Sequence, residues 1–165
     1  MTANDRDWRG RAPEISVITP NLAIGEYPRV ADVPGLRSAH GITAVLSLQD
    51  DFDHADKGIA VAALERAYAD AAIEYRRRPM ADLDPEAVAR FLPETLTELA
   101  GLVDARHRVL VHCNAGYNRA PTIVVAYLHR MAGMSLTAAR DTVRSRRACM
   151  PYMALLERLY ETTGR

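Results

Sequence analysis

The stretch "RVLVHCNAGYNRAPTIVVAYLHRM", residues 108–131, decides the architecture of this chain. Its opening, "RVLVHC" (108–113), is rich in β-formers and predicts a buried strand. From Arg119 onward the apolar residues recur over a length that predicts a helix spanning 119–132. Asn114, Ala115, Gly116, Tyr117 and Asn118 lie between, few enough to wrap into a tight loop. Strand, loop and helix in that order put Cys113 at the carboxyl end of a strand, where open α/β sheets place their ligand crevices.

On the N-terminal side, "ISVITPNLAIGEYP" reads as two short strands around a Pro20-Asn21 turn, and Val33 to His40 as a short helix stopped by Gly41. "ITAVLSLQ" (42–49) predicts a buried strand, "DDFDHADKG" (50–58) a loop, "IAVAALERAYADAA" (59–72) a helix and "IEYRRRP" (73–79) a half-exposed strand. Asp84 before Pro85 is a helix-start signal. Val88, Leu92, Leu96, Leu99 and Val103 follow at helical spacing, and Pro93 within that pattern predicts a kink or a local break. Further helices are expected over 135–147 and 151–162. This alternation predicts an α/β fold with a central, largely parallel sheet of four to five strands flanked by helices.

Composition narrows the classes. The chain has 165 residues, a length suited to one domain, here 14–165 behind a polar, flexible segment over 1–13. Hydrophobic residues make up 48% and charged residues 25%, and 21 basic residues balance 21 acidic ones. That balance argues against a general nucleic-acid or membrane binder, and no apolar run approaches the roughly 18 residues of a membrane span. Cys113 and Cys149 are too few for a disulfide scaffold, and "MTANDRDWRGRAPE" lacks the apolar core of a signal peptide, so a reducing cytoplasm is expected.

The residues around Cys113 suit anion chemistry. Backbone N–H groups of a tight loop and the N-terminal end of the following helix converge on one point, and Gly116 supplies freedom where the loop must turn. Such a field favours a thiolate, the nucleophilic form of cysteine. Arg119 adds a planar fork of donors that matches two oxygens of a phosphate. Either a lone buried cysteine or a lone histidine would be ordinary packing, but His112, Cys113, Gly116 and Arg119 at H-C-x-x-G-x-x-R spacing are far more restrictive.

"HCNAGYNR" resembles the signature loop of the cysteine-dependent protein tyrosine and dual-specificity phosphatases. The segment order from about Ile18 to Leu156 is similar to the small dual-specificity catalytic domain. "PNLAIGEYPRVADV", "AVLSLQDDFD", "PMADLD" and "SRRACMP" look most like the glucan phosphatase group, the plant starch phosphatase and laforin type. The resemblance implies phosphomonoester hydrolysis through a phosphocysteine, with Cys113 as nucleophile. Asn114, Ala115, Gly116, Tyr117, Asn118 and Arg119 would hold the phosphate, and His112 would support the loop. No metal or other cofactor is implied. The substrate would be a phosphorylated protein or a phosphorylated carbohydrate.

Two departures stand out. Ala120 occupies a position where many relatives carry a Ser or Thr hydroxyl for the thiolate, leaving Thr122 as a possible substitute. Asn118 stands where glucan enzymes prefer glycine, which leans toward the protein-directed members. Ala120 also keeps open an alternative function, a phosphate-binding module with weak turnover or none.

The leaving group needs a proton, which one carboxyl can supply before activating water. Asp84 already has a task as N-cap, whereas Asp82 has none visible and lies at the spacing from the cysteine that the resemblance implies. Asp82 is therefore the expected acid. The carboxylates of "QDDFDHAD" read as a solvated loop, Arg76-Arg77-Arg78 as solvated cations with a lesser claim on an anionic substrate, Arg146 and Arg147 as partners of a helix dipole, and Cys149 as a buried structural thiol.

Overall fold

The computed structural model describes residues 11–161; the expectation of a flexible N-terminal segment falls mostly on residues outside that range. Five strands form one sheet: β1 (Ile15–Thr19), β2 (Leu22–Gly25), β3 (Ala44–Ser47), β4 (Glu74–Arg77) and β5 (Val109–His112). Their spatial order is β1-β2-β5-β3-β4. Only the β1–β2 pair is antiparallel, so the sheet is the largely parallel one expected.

Among the described residues seven α-helices surround it: α1 (Val33–His40), α2 (Asp51–Lys57), α3 (Val61–Asp70), α4 (Pro85–Asp104), α5 (Arg119–Arg130), α6 (Leu136–Arg146) and α7 (Met153–Tyr160). Strand side chains alternate between two cores, as a period of two requires. Leu22, Ile24, Ala44, Leu46, Val109 and Val111 face the larger core with α4, α5, α6 and α7, while Ala23, Val45 and Leu110 face the smaller one with α1 and α3. Every residue of β2, β3 and β5 is buried, which explains why these strands are apolar on both faces up to the polar Ser47 and His112 at the ends of β3 and β5.

Two expectations need correction. Residues 50–58 are not a loop: α2 forms there because Asp50 accepts from the Asp53 N–H at 2.8 Å and Asp53 accepts from the Asp50 N–H at 3.0 Å, a reciprocal cap, and Gly58 closes the other end at φ +64°. The apolar period that would announce it is absent, since its Phe52 is 76% exposed. Of the kink or local break expected at Pro93, the break does not occur: α4 runs uninterrupted through that residue. Helix packing along Val88, Leu92, Leu96 and Leu99 outweighs the one backbone bond that proline removes.

The sheet registers set the site. Gly25 of β2 and Ser47 of β3 both align with His112 at the end of β5. Three parallel strands thus end abreast, and Cys113 begins the loop that leaves the central one.

Candidate active site

Cys113 is buried, and Asp82, Asn114, Ala115, Tyr117, Asn118 and Arg119 line a small cavity with it. The loop turns at Gly116, whose φ is +61° and whose added Cβ would lie 2.6 Å from the Gly25 carbonyl oxygen. Only glycine fits there.

The loop carbonyls are all engaged. The Cys113 oxygen accepts from His112 Nδ1 at 3.0 Å, the Asn114 oxygen from the Tyr27 N–H at 3.1 Å and the Tyr117 oxygen from the Met150 N–H at 2.8 Å. Arg147 donates through Nη2 to the Ala115 oxygen at 2.9 Å and through Nε to the Gly116 oxygen at 2.7 Å. Thr122 Oγ1 donates to the Asn118 oxygen at 2.7 Å. All peptides are trans, so each N–H points opposite to the carbonyl of its own plane. The N–H groups of Asn114 through Arg119 therefore face away from these donors, and among the described residues none has a hydrogen-bond acceptor. That is a cradle for an anion.

Arg119 is held by one edge and open at the other. Its Nη1 donates to Asp53 Oδ2 at 2.7 Å and to the Met80 carbonyl at 2.9 Å. Nε lies 3.1 Å from Asp82 Oδ1, an ion-pair contact without hydrogen-bond alignment, and Nη2 has no partner among the described residues. Burial works against the Arg119 charge, but Cys113, Asp53 and Asp82 outweigh it and hold the guanidinium charged.

Asp53 is the residue that sequence reasoning missed. Its carboxylate also accepts from Asn114 Nδ2 at 2.8 Å, and Gln49 Nε2 donates to Asn114 Oδ1 at 2.8 Å, so a buried chain of hydrogen bonds runs from Gln49, just past the end of β3, to Arg119. Burial opposes its ionisation, and the bond to Arg119 overcomes this and pulls its pKa below the usual carboxylate value. The capping-box spacing of Asp50 and Asp53 is the sequence signal that could have found the helix presenting it.

The other candidates fall as follows. Asp84 caps α4, accepting from the Glu86 and Ala87 N–H groups at 3.1 Å each, whereas Asp82 reaches Arg119. Buried His112 is pushed down to about 4 by desolvation and is neutral near pH 7. Tyr117 stands partly exposed at the cavity edge. Arg76 pairs with Glu74 and Glu98, Arg77 with Asp51, and Arg78 with Glu98. Arg147 does not serve the dipole of α6; it follows the helix in extended backbone and turns into the protein. Nothing local in the sequence links it to the loop. Cys149 is a free, buried thiol whose pKa burial raises. Thr122 Oγ1 spends its proton on the Asn118 oxygen and accepts from the Tyr152 N–H at 2.8 Å, so it cannot replace a hydroxyl at Ala120. No helix among the described residues is long and apolar enough to cross a membrane.

Comparison with known proteins gives a consistent result. Mouse (Mus musculus) laforin is 26% identical over 148 residues, which cover 83% of this chain and 45% of laforin. Phosphoglucan phosphatase LSF1, chloroplastic, of Arabidopsis thaliana is 33% identical over 137 residues, covering 82% of this chain and 23% of that protein. This chain thus spans less than half the length of either relative. The crystal structure of Tk-PTP in its active form superposes with a TM-score of 0.73 at 26% identity, covering 89% of this chain and 96% of that one. The family model described as dual specificity phosphatase, catalytic domain, matches residues 22–164. With its sheet, its H-C-x-x-G-x-x-R loop and that match, the chain belongs to the dual-specificity phosphatase catalytic-domain family.

Proposed function

We propose that this chain hydrolyses phosphomonoesters through a phosphocysteine formed on Cys113. The Cys113 thiolate attacks phosphorus; the S–P bond forms as the P–O bond to the leaving group breaks. Asp82 passes its proton to the departing oxygen. Now ionised, Asp82 takes a proton from water as that water attacks phosphorus, the S–P bond breaks, and phosphate leaves with the thiolate regenerated. The amides from Asn114 to Arg119 and the Nε and Nη2 edge of Arg119 hold the equatorial oxygens through both steps. His112 supports the loop through the Cys113 carbonyl.

One observation carries this reading: six amides and one edge of a buried arginine, all without a hydrogen-bond acceptor among the described residues, lie around the cavity of a cysteine, with a carboxylate 3.1 Å from that arginine. Residues 14–165 are read as one catalytic domain, supported by the unbroken family match. The two free cysteines suit a reducing, cytoplasmic setting. The substrate is a phosphorylated protein or a phosphoglucan. Similarity to laforin and the Arabidopsis phosphoglucan phosphatase favours the second, and Asn118 the first.

A phosphate-binding module without turnover is the alternative, and Ala120 is its support. Hydrolysis of an aryl phosphate by the purified protein in EDTA separates the two. Cys113→Ser should abolish turnover and keep phosphate binding, and Asp82→Asn should lower kcat by about 10²-fold. A serine variant retaining a tenth of the activity would sink the phosphocysteine mechanism. Phosphate release from phosphorylated glucan, compared with release from phosphotyrosine peptides, then assigns the substrate.

A further inference from the structure

We propose that Arg147 is a positioning residue for the signature loop, holding the peptide planes around Gly116 so that their N–H groups face a bound phosphate. The proposal rests on the anion-binding reading of that loop. Its basis is a division of labour among the donors that engage the loop carbonyls. Four of the six carbonyls from Cys113 to Asn118 are held by separate groups: His112, Tyr27, Met150 and Thr122. The remaining two, Ala115 and Gly116, flank the left-handed turn and are both held by the guanidinium of Arg147. Because a trans peptide sets N–H against C=O, fixing these two oxygens outward aims the Gly116 and Tyr117 N–H groups inward.

The arginine is itself held firmly. Its Nη1 donates to Ser16 Oγ on β1 at 3.0 Å, so the sheet edge sets the guanidinium plane and the plane sets the loop. Arg147 is 7% exposed, and no carboxylate pairs with it among the described residues. A buried cation compensated only by carbonyl and hydroxyl oxygens is costly unless an anion shares its surroundings. Its position behind the cradle adds positive potential where a phosphate dianion would sit. The segment that follows completes a strap across the outside of the loop: the Met150 N–H binds the Tyr117 oxygen, and Asn118 Nδ2 donates to the Met150 oxygen at 2.8 Å.

Three readouts on the full chain test this: calorimetric binding of inorganic phosphate, kcat and KM for an aryl phosphate, and the pH profile of Cys113 alkylation, with urea unfolding as the control for folding. Arg147→Met should weaken phosphate binding by about tenfold or more, the equivalent of one lost charge-assisted hydrogen bond, and should move the alkylation profile to higher pH. Arg147→Lys keeps the charge and the stem but cannot span two carbonyls. It should recover part of the alkylation shift and little of the binding. A folded Arg147→Met protein that binds phosphate within twofold of wild type, with an unmoved alkylation profile, overturns the proposal. Should the methionine variant fail to fold, the lysine variant decides by the same criterion. Phosphate binding is independent of turnover, so a wild-type protein that binds phosphate without hydrolysing esters would defeat the catalytic reading and leave the Arg147 result standing. A wild-type protein that binds no phosphate defeats both.

Discussion

Asp53 Oδ2 lies 2.7 Å from Arg119 Nη1, and the two side chains are 3% and 0% exposed. The pair joins α2 to the start of α5 and leaves the Nε and Nη2 edge of the arginine without a hydrogen-bond partner among the described residues. Breaking one side of such a pair leaves an uncompensated buried charge. Asp53→Asn is expected to cost about 3–5 kcal/mol of stability in urea unfolding near neutral pH. Added phosphate should restore more stability to this variant than to wild type, because it supplies the missing counter-charge. Unchanged unfolding would show that solvent reaches Arg119 and that the pair does not hold it.

His112 imposes a pH dependence whose sign follows from burial. Its value falls from 6.5 to about 4 in the folded state, so between those values the unfolded chain binds a proton that the folded one refuses. Stability from this residue is complete above about 6.5 and is lost as pH falls toward about 4, by about 3 kcal/mol in all. His112→Gln should flatten the curve through that window. Asp53, whose pKa is lowered, adds a loss at more acidic pH as its pair with Arg119 is protonated. Urea midpoints at several pH values across that window measure the first and midpoints below it the second, and an equal slope across the window in the glutamine variant would remove His112 as the cause.

Ala120 offers the Cys113 sulfur no hydroxyl, and the hydroxyl of Thr122 is already committed to Asn118 and Tyr152. Ala120→Ser, by adding a donor beside the sulfur, should therefore move the alkylation profile of Cys113 to lower pH. Thr122→Ala should cost about 1–2 kcal/mol of stability through its lost hydrogen bonds. Coincident Ala120→Ser and wild-type profiles would mean that backbone amides alone govern the thiol.

Gly116 and Gly133 provide a paired experiment. Both have positive φ, +61° and +72°, but an added Cβ at Gly133 meets nothing within 4 Å, whereas one at Gly116 meets the Gly25 oxygen at 2.6 Å and Arg147 Nη2 at 2.8 Å. Gly133→Ala should cost only the left-handed penalty of about 1 kcal/mol. Gly116→Ala should cost about 2 kcal/mol or more and should also lower phosphate affinity, which the Gly133 variant should leave intact. Equal effects would show that the loop yields to the extra methyl.

Much of this is legible in the residues alone. The strands, the start of α4 at Asp84 and Pro85, the stop of α1 at Gly41 and the H-C-x-x-G-x-x-R loop are written in local signals of alternation, caps and turn residues. The N-cap role of Asp84 was legible locally as well, from its place before Pro85. The helix at 51–57 escaped because its cap is built from carboxylates that also suit a solvated loop, and its one large apolar residue faces solvent.

Local patterns in the sequence specify most of the elements, α2 excepted, their largely parallel arrangement and the residue types of the central loop. Tertiary structure alone decided which polar side chains would be buried to hold that loop. Asp53 and Arg119 are 66 positions apart, and Arg147 and Gly116 are 31 apart. No local period or spacing encodes such pairings. They arise when the sheet order β1-β2-β5-β3-β4 brings β1 and β3 to opposite sides of the central strand, where a desolvated charge or carbonyl must find its partner across the fold rather than along the chain.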